Sequence, residues 1–126
     1  MLLQALKQMP LIAILRGLRQ DDAVAVSGLL LDCGFTILEV PLNSPGALDS
    51  IAAIRCHHGD RLVLGAGTVL TPRDVDDVLE AGGELIISPN CSPDVIRQTK
   101  ARGMVSIPGC YTPTDCFSAR RPAPIC

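Results

Sequence analysis

Five short aliphatic runs recur along the chain, each followed by a stretch whose apolar positions can line one face of a helix. The first run is Leu11-Ile12-Ala13-Ile14-Leu15. Asp21 and Asp22 then open a predicted helix through Asp32, with Ala23, Val24, Val26, Leu29 and Leu30 available for its inner face and Gly34 as its stop. The second strand is predicted from Thr36 to Leu42, and Ser44-Pro45 is expected to start a helix that ends near His58-Gly59. Strand three covers Leu62 to Thr68, and Thr71-Pro72 caps a helix ended by Gly82-Gly83. Strand four runs from Glu84 to Ser88, followed by a helix from Ser92-Pro93 to Arg102-Gly103. Met104 to Ile107 forms strand five, and Thr112-Pro113 opens another helix. Ahead of all this, the segment from Met1 to Pro10 is a short amphipathic stretch.

The strands are continuous apolar runs rather than alternating ones. Strands of that kind are buried on both faces, as in parallel sheets covered by helices. The pattern therefore predicts an α/β fold, either a doubly wound sheet or the first five βα units of a (β/α)8 TIM barrel. Five units do not close a barrel, which ordinarily takes about 200 residues or more. The 126 residues are expected to form an incomplete barrel with exposed sheet edges.

One strand position breaks the apolar pattern. Glu39 places a carboxylate inside Ile37-Leu38-Glu39-Val40-Pro41, where a charge is costly unless it is paired or used. Pro41-Leu42-Asn43-Ser44-Pro45 stops that strand sharply, so Glu39 is expected near the strand's C-terminal end. Arg16, Thr68, Pro89-Asn90 and Pro108-Gly109 fall at the ends of the other four runs. In a parallel barrel these ends converge on one mouth, where the chemistry sits. Arg16 could grip a carboxylate through a bidentate pair, Glu39 could move protons, and Thr68 could hydrogen-bond a substrate oxygen. The competing reading is a structural Arg16–Glu39 ion pair at the strand ends, with Thr68 an ordinary strand residue and the two proline segments plain turns.

Composition narrows the field. A formal charge of −2, one Tyr and no Trp offer neither a basic field nor a stacking platform for nucleic acid. No apolar run is long enough to span a bilayer, and the N-terminus lacks the pattern of a secretion signal, so a cytoplasmic protein is expected. Cys33, Cys56, Cys91, Cys110, Cys116 and Cys126 are irregularly spaced and read as reduced, structural or incidental thiols. His57 and His58 sit beside Cys56 at a predicted helix end and read as a solvated terminus rather than zinc ligands. Gly65-Ala66-Gly67-Thr68 lacks the third glycine and the Lys-Ser/Thr ending of a phosphate loop.

From Leu11-Ile12-Ala13-Ile14-Leu15-Arg16-Gly17 onward the chain resembles the KDPG/KHG aldolase family. The resemblance continues through Glu39-Val40-Pro41-Leu42-Asn43-Ser44-Pro45, Gly65-Ala66-Gly67-Thr68-Val69-Leu70, Ile87-Ser88-Pro89-Asn90 and Ile107-Pro108-Gly109-Cys110. Within the family, Pro41-Leu42-Asn43-Ser44 fits the branch acting on the phosphogalactonate sugar. The resemblance implies a Schiff-base aldolase on a (β/α)8 barrel, usually a homotrimer, that needs no cofactor and no metal. The implied reaction cleaves 2-dehydro-3-deoxy-6-phosphogalactonate to pyruvate and glyceraldehyde 3-phosphate. It further implies that Glu39 is the general acid/base, that Arg16 binds the pyruvyl carboxylate and that Thr68 lines the site. KDPG or 4-hydroxy-2-oxoglutarate specificity is the alternative, as is a non-catalytic fragment.

The chain departs from the family in one decisive respect. The family's Schiff-base lysine lies on strand six, in a Leu-Lys-Ile-Phe-Pro-like segment that these residues lack. Lys7 and Lys100 match helical positions away from the site. The sequence thus divides into a partial aldolase domain over residues 1–119 and a non-family tail over residues 120–126, Arg120-Arg121-Pro122-Ala123-Pro124-Ile125-Cys126. Codons for Pro-Ala-Pro-Ile-Cys and a following TGA, read in the frame that takes in the last base of the Arg121 codon, can encode Ala-Gly-Ala-Asp-Leu-Leu. The expectation is a single-nucleotide frameshift just after Ala119, in the gene or its sequencing, that leaves the chain inactive as written.

Overall fold

The computed structural model describes residues 2–120. The tail beyond Arg120 lies outside them, and with it most of the segment expected to be frameshifted.

Helix α1 (Leu2–Gln8) leads into strand β1 (Ala13–Ile14) and helix α2 (Ala23–Asp32). Strand β2 (Ile37–Pro41), helix α3 (Ala47–His58), strand β3 (Val63–Gly67) and helix α4 (Pro72–Glu80) follow. The described chain ends with β4 (Leu85–Ser88), α5 (Pro93–Ala101), β5 (Val105–Pro108) and α6 (Pro113–Arg120). All pairings are parallel, in the order β1-β2-β3-β4-β5, so every strand lies beside its sequence neighbour. Every residue of β2 and β3 is buried, as their unbroken apolar runs predict.

The two faces of the sheet differ. Leu38, Val40, Leu64, Ala66 and Ile86 face the helices and share the main core with Ile51, Ile54, Val75, Val78 and Val95. Ile37, Val63 and Leu85 point the other way and meet Leu2, Ala5 and Leu6 of α1. Helix α1 therefore lies across the N-terminal end of the face opposite the main core. Strand period places Glu39, Gly65 and Gly67 on that same face, further along the strands.

Local signals explain most boundaries. Thr71 caps α4 through a reciprocal capping box with Asp74, each side chain accepting from the other's backbone N–H. Thr112 and Asp115 make the same exchange at α6. Ser44-Pro45 does not act as expected, because α3 begins at Ala47, after Gly46 at φ 61°. The Ser44 hydroxyl is used elsewhere, accepting from the backbone N–H of Gly17 at 3.0 Å.

His58 is a second correction. It is buried, not solvated, and its Nε2 lies 2.9 Å from the Ser27 hydroxyl on α2. Only His57 of the pair is exposed. Packing of α3 on α2 decides this. β1 is also shorter than its apolar run, because it is an edge strand with one neighbour. No helix among the described residues is long and apolar enough to cross a membrane.

Candidate active site

Glu39 is the central residue of β2, not its last, paired in register with Ile14 on one side and Gly65 on the other. Its side chain nevertheless reaches toward the C-terminal end of the sheet. A Cβ added at Gly67, two residues beyond the paired Gly65, would overlap both carboxylate oxygens of Glu39. Gly67 is thus the floor on which the carboxylate rests, and its lack of a side chain is what admits the charge. Gly65 has a different neighbour. A Cβ there would drive into the backbone carbonyl of Leu85, so this glycine sets the close approach of β3 to β4.

The carboxylate is 3% exposed, and its Oε2 has no hydrogen-bond partner. Burial pushes its pKa above the usual carboxylate range, and the positive charge of Arg16 pulls partly against that shift. Arg16 itself is exposed, two residues past β1. Among the described residues no Arg16–Glu39 contact falls within ion-pair distance, so the purely structural ion pair is absent. The guanidinium is left free to meet a ligand while still biasing Glu39 through space. The Gly17–Ser44 hydrogen bond ties the Arg16 loop to the loop after β2, and the N–H of Leu15 donates to the carbonyl of Glu39 at 2.9 Å.

Thr68 follows the last residue of β3 and carries φ 56°, the one non-glycine residue with positive φ among those described. A β-branched residue in the left-handed region is strained, and such strain gathers at functional sites. The structure thus brings Arg16, Glu39 and Thr68 to the same end of three adjacent strands. Pro89-Asn90 directly follows β4, and Pro108 ends β5. Their loops touch, for the N–H of Gly109 donates to the Ser88 carbonyl at 2.9 Å. Ser44 is the residue that sequence reasoning placed in the wrong role. A buried hydroxyl at 6% exposure, it positions the loop that holds Arg16.

Chemically, a buried carboxylate with a free oxygen and a raised pKa is suited to accept and return a proton. It also has a stability signature. The folded state holds the Glu39 proton more tightly than the unfolded chain. Stability is therefore fully present below about pH 4.5 and declines as pH rises through the raised folded value. Glu39→Gln removes the buried charge and should stabilise the chain at neutral pH by roughly 1–3 kcal/mol. That gain should vanish in acid. Denaturant titrations of both chains at pH 4 and 7.5 check this, and a variant that is less stable at pH 7.5 would show the carboxylate to be satisfied.

Comparison with known proteins adds a family-level match. The model of the KDPG and KHG aldolase family matches residues 2–121. The 2-dehydro-3-deoxy-6-phosphogalactonate aldolase of Escherichia coli (strain K12) is 47% identical over 112 residues, covering 89% of this chain and 55% of that protein. A probable 2-dehydro-3-deoxy-6-phosphogalactonate aldolase of Rhizobium meliloti (strain 1021) is 46% identical over 110 residues, covering 87% and 52%. Among solved structures, one described as native KDPGal superposes with a TM-score of 0.86 at 47% identity, covering 89% of this chain and 54% of that one. The chain spans about half the length of the curated relatives it matches.

Proposed function

The chain belongs to the KDPG and KHG aldolase family, and from that premise we propose that it carries the acid/base portion of a Schiff-base aldolase site. The substrate of that site is 2-dehydro-3-deoxy-6-phosphogalactonate, cleaved to pyruvate and glyceraldehyde 3-phosphate. The observation that carries the reading is the buried Glu39 carboxylate, held over Gly67 with one oxygen unpartnered.

In this chemistry a lysine amine condenses with the keto group and releases water. The protonated imine then accepts the electron pair of the breaking carbon–carbon bond. Glu39 takes the proton from the hydroxyl that becomes the aldehyde and returns a proton to the pyruvyl carbon. Arg16, in no ion pair among the described residues, grips the pyruvyl carboxylate through two parallel hydrogen bonds. Thr68 lines the site from β3. The five strands form one side of a (β/α)8 barrel, and we propose a homotrimer in the cytoplasm on the strength of the family resemblance. Pro41-Leu42-Asn43-Ser44 and the 47% identity to the Escherichia coli enzyme favour the galactonate sugar over KDPG or 4-hydroxy-2-oxoglutarate.

The test is a graft of residues 2–119 into the matching segment of the Escherichia coli relative. The graft should release pyruvate from the phosphogalactonate substrate in preference to its gluconate epimer. Glu39→Gln in the graft should lower kcat by about 10²–10⁴-fold. A folded graft indifferent to that substitution sinks the role of Glu39, and a preference for the gluconate epimer sinks the substrate.

A further inference from the structure

At the N-terminal end of the strands, the end away from Arg16 and Thr68, a cleft of about 370 Å³ opens between helix α1 and the starts of β2 and β3. That volume suits a small organic molecule. One wall carries Gln4 and Gln8, a turn apart on α1 and so on one face of the helix. Thr36, Arg61, Leu62 and Val63 form the other. The Thr36 carbonyl accepts from the Val63 N–H at 2.8 Å, which fixes this wall. The Thr36 hydroxyl is buried and has no hydrogen-bond partner, a costly state unless something supplies one. The Gly59–Arg61 turn that presents Arg61 is held by Arg55 of α3, whose guanidinium donates to the carbonyls of Gly59 and Leu62 at 2.8 and 3.4 Å. Asp60, the one carboxylate lining the cleft among the described residues, pairs with Arg55 at 3.4 Å. Arg61 is in no ion pair among the described residues.

We propose that this cleft binds a small hydroxycarboxylate, its carboxylate on Arg61 and its hydroxyls on Thr36, Gln4 and Gln8. A guanidinium without a partner takes a planar carboxylate through two parallel hydrogen bonds. The Thr36 hydroxyl and the two primary amides both donate and accept, which matches alcohol groups rather than a second charge. Thr36 is half-buried, and rotation about its Cα–Cβ bond brings the hydroxyl from its unpartnered setting to the ligand. Leu62 and Val63 cover the carbon chain. None of these residues lies on β1 or β5, so the open edges of the sheet take no part in the site. Helix α1 has no fully buried residue and meets the sheet through the partly buried Leu2, Ala5 and Leu6. A ligand held by both walls therefore tightens α1 on the sheet.

The full chain with L-threonate, followed by calorimetry and by hydrogen–deuterium exchange, tests this. Threonate is expected to bind saturably and to slow exchange in residues 2–10 and 59–64. Butyrate, which has the carboxylate without the hydroxyls, and threitol, which has the hydroxyls without the carboxylate, should each bind about tenfold or more weakly. Arg61→Gln should weaken threonate binding by about tenfold or more. Thr36→Val keeps the side-chain shape and removes a hydroxyl that nothing in the free chain satisfies, so it should melt no lower than the parent. It should weaken threonate binding by about 2–10-fold. Equal binding of threonate, butyrate and threitol, or no saturable binding, would overturn the proposal. So would protection confined to residues 14–19, which would place the carboxylate on Arg16 at the other end of the strands.

Discussion

A preparation of the 126-residue chain is expected to release no pyruvate from 2-dehydro-3-deoxy-6-phosphogalactonate, and borohydride is expected to trap no pyruvate adduct on it. The expectation rests on where its amines are. The sequence has two lysines, Lys7 and Lys100, both exposed. Lys7 rides on α1, across the N-terminal end of the sheet, and Lys100 lies in the last turn of α5. Glu39, Arg16 and Thr68 act at the opposite end of the strands. Without an imine there is no electron sink for the carbon–carbon bond, and a carboxylate alone moves protons that have no reason to leave. Loss of a covalent nucleophile removes the reaction path itself, so the expected effect is complete within detection rather than graded. The measurements are a coupled assay for pyruvate and intact mass after borohydride treatment with pyruvate present. An adduct mapping to Lys7 or Lys100 would overturn the assignment of the site to the C-terminal rim.

Two glycine substitutions should separate site from scaffold. At Gly67 an added methyl group meets the far end of a flexible side chain, the Glu39 carboxylate. That end can swing away, so Gly67→Ala should cost the fold no more than about 1–3 kcal/mol. In the grafted enzyme, however, it should lower kcat by about 10²-fold or more, because the proton-transferring group is displaced. At Gly65 the same methyl group meets the backbone of Leu85, which cannot yield without opening the β3–β4 ladder. Gly65→Ala should therefore destabilise by about 3 kcal/mol or more and reduce the folded yield. Thermal melts and kcat on both variants check the pair. The reverse pattern, an active Gly67→Ala and a melting temperature unaffected by Gly65→Ala, would refute the placement of Glu39.

These effects turn on features the sequence exposed unequally. The parallel αβ alternation was legible because each strand is a continuous apolar run and α4, α5 and α6 open on Ser/Thr-Pro. Glu39 was legible because a carboxylate has no place in such a run. Its position was read too near the strand end, since strand length depends on pairing and not on the apolar run alone. Ser44 was misread because its hydroxyl serves a backbone 27 residues away rather than its own helix. His58 was misread for the same kind of reason: its burial comes from α2, which no periodicity in α3 records. Thr68 looked like an ordinary strand residue, for β-branching predicts extended backbone and gives no sign of a left-handed one.

The strand order β1-β2-β3-β4-β5, identical to the order along the chain, has a consequence for synthesis. Each strand leaving the ribosome docks on the strand made just before it, so no segment waits for a distant partner and loop-closure entropy stays small at every step. One open edge is always β1 and the other is always the newest strand. The sheet therefore grows at one edge only, and whichever strand joins there after β5, from this chain or another, meets the backbone of β5.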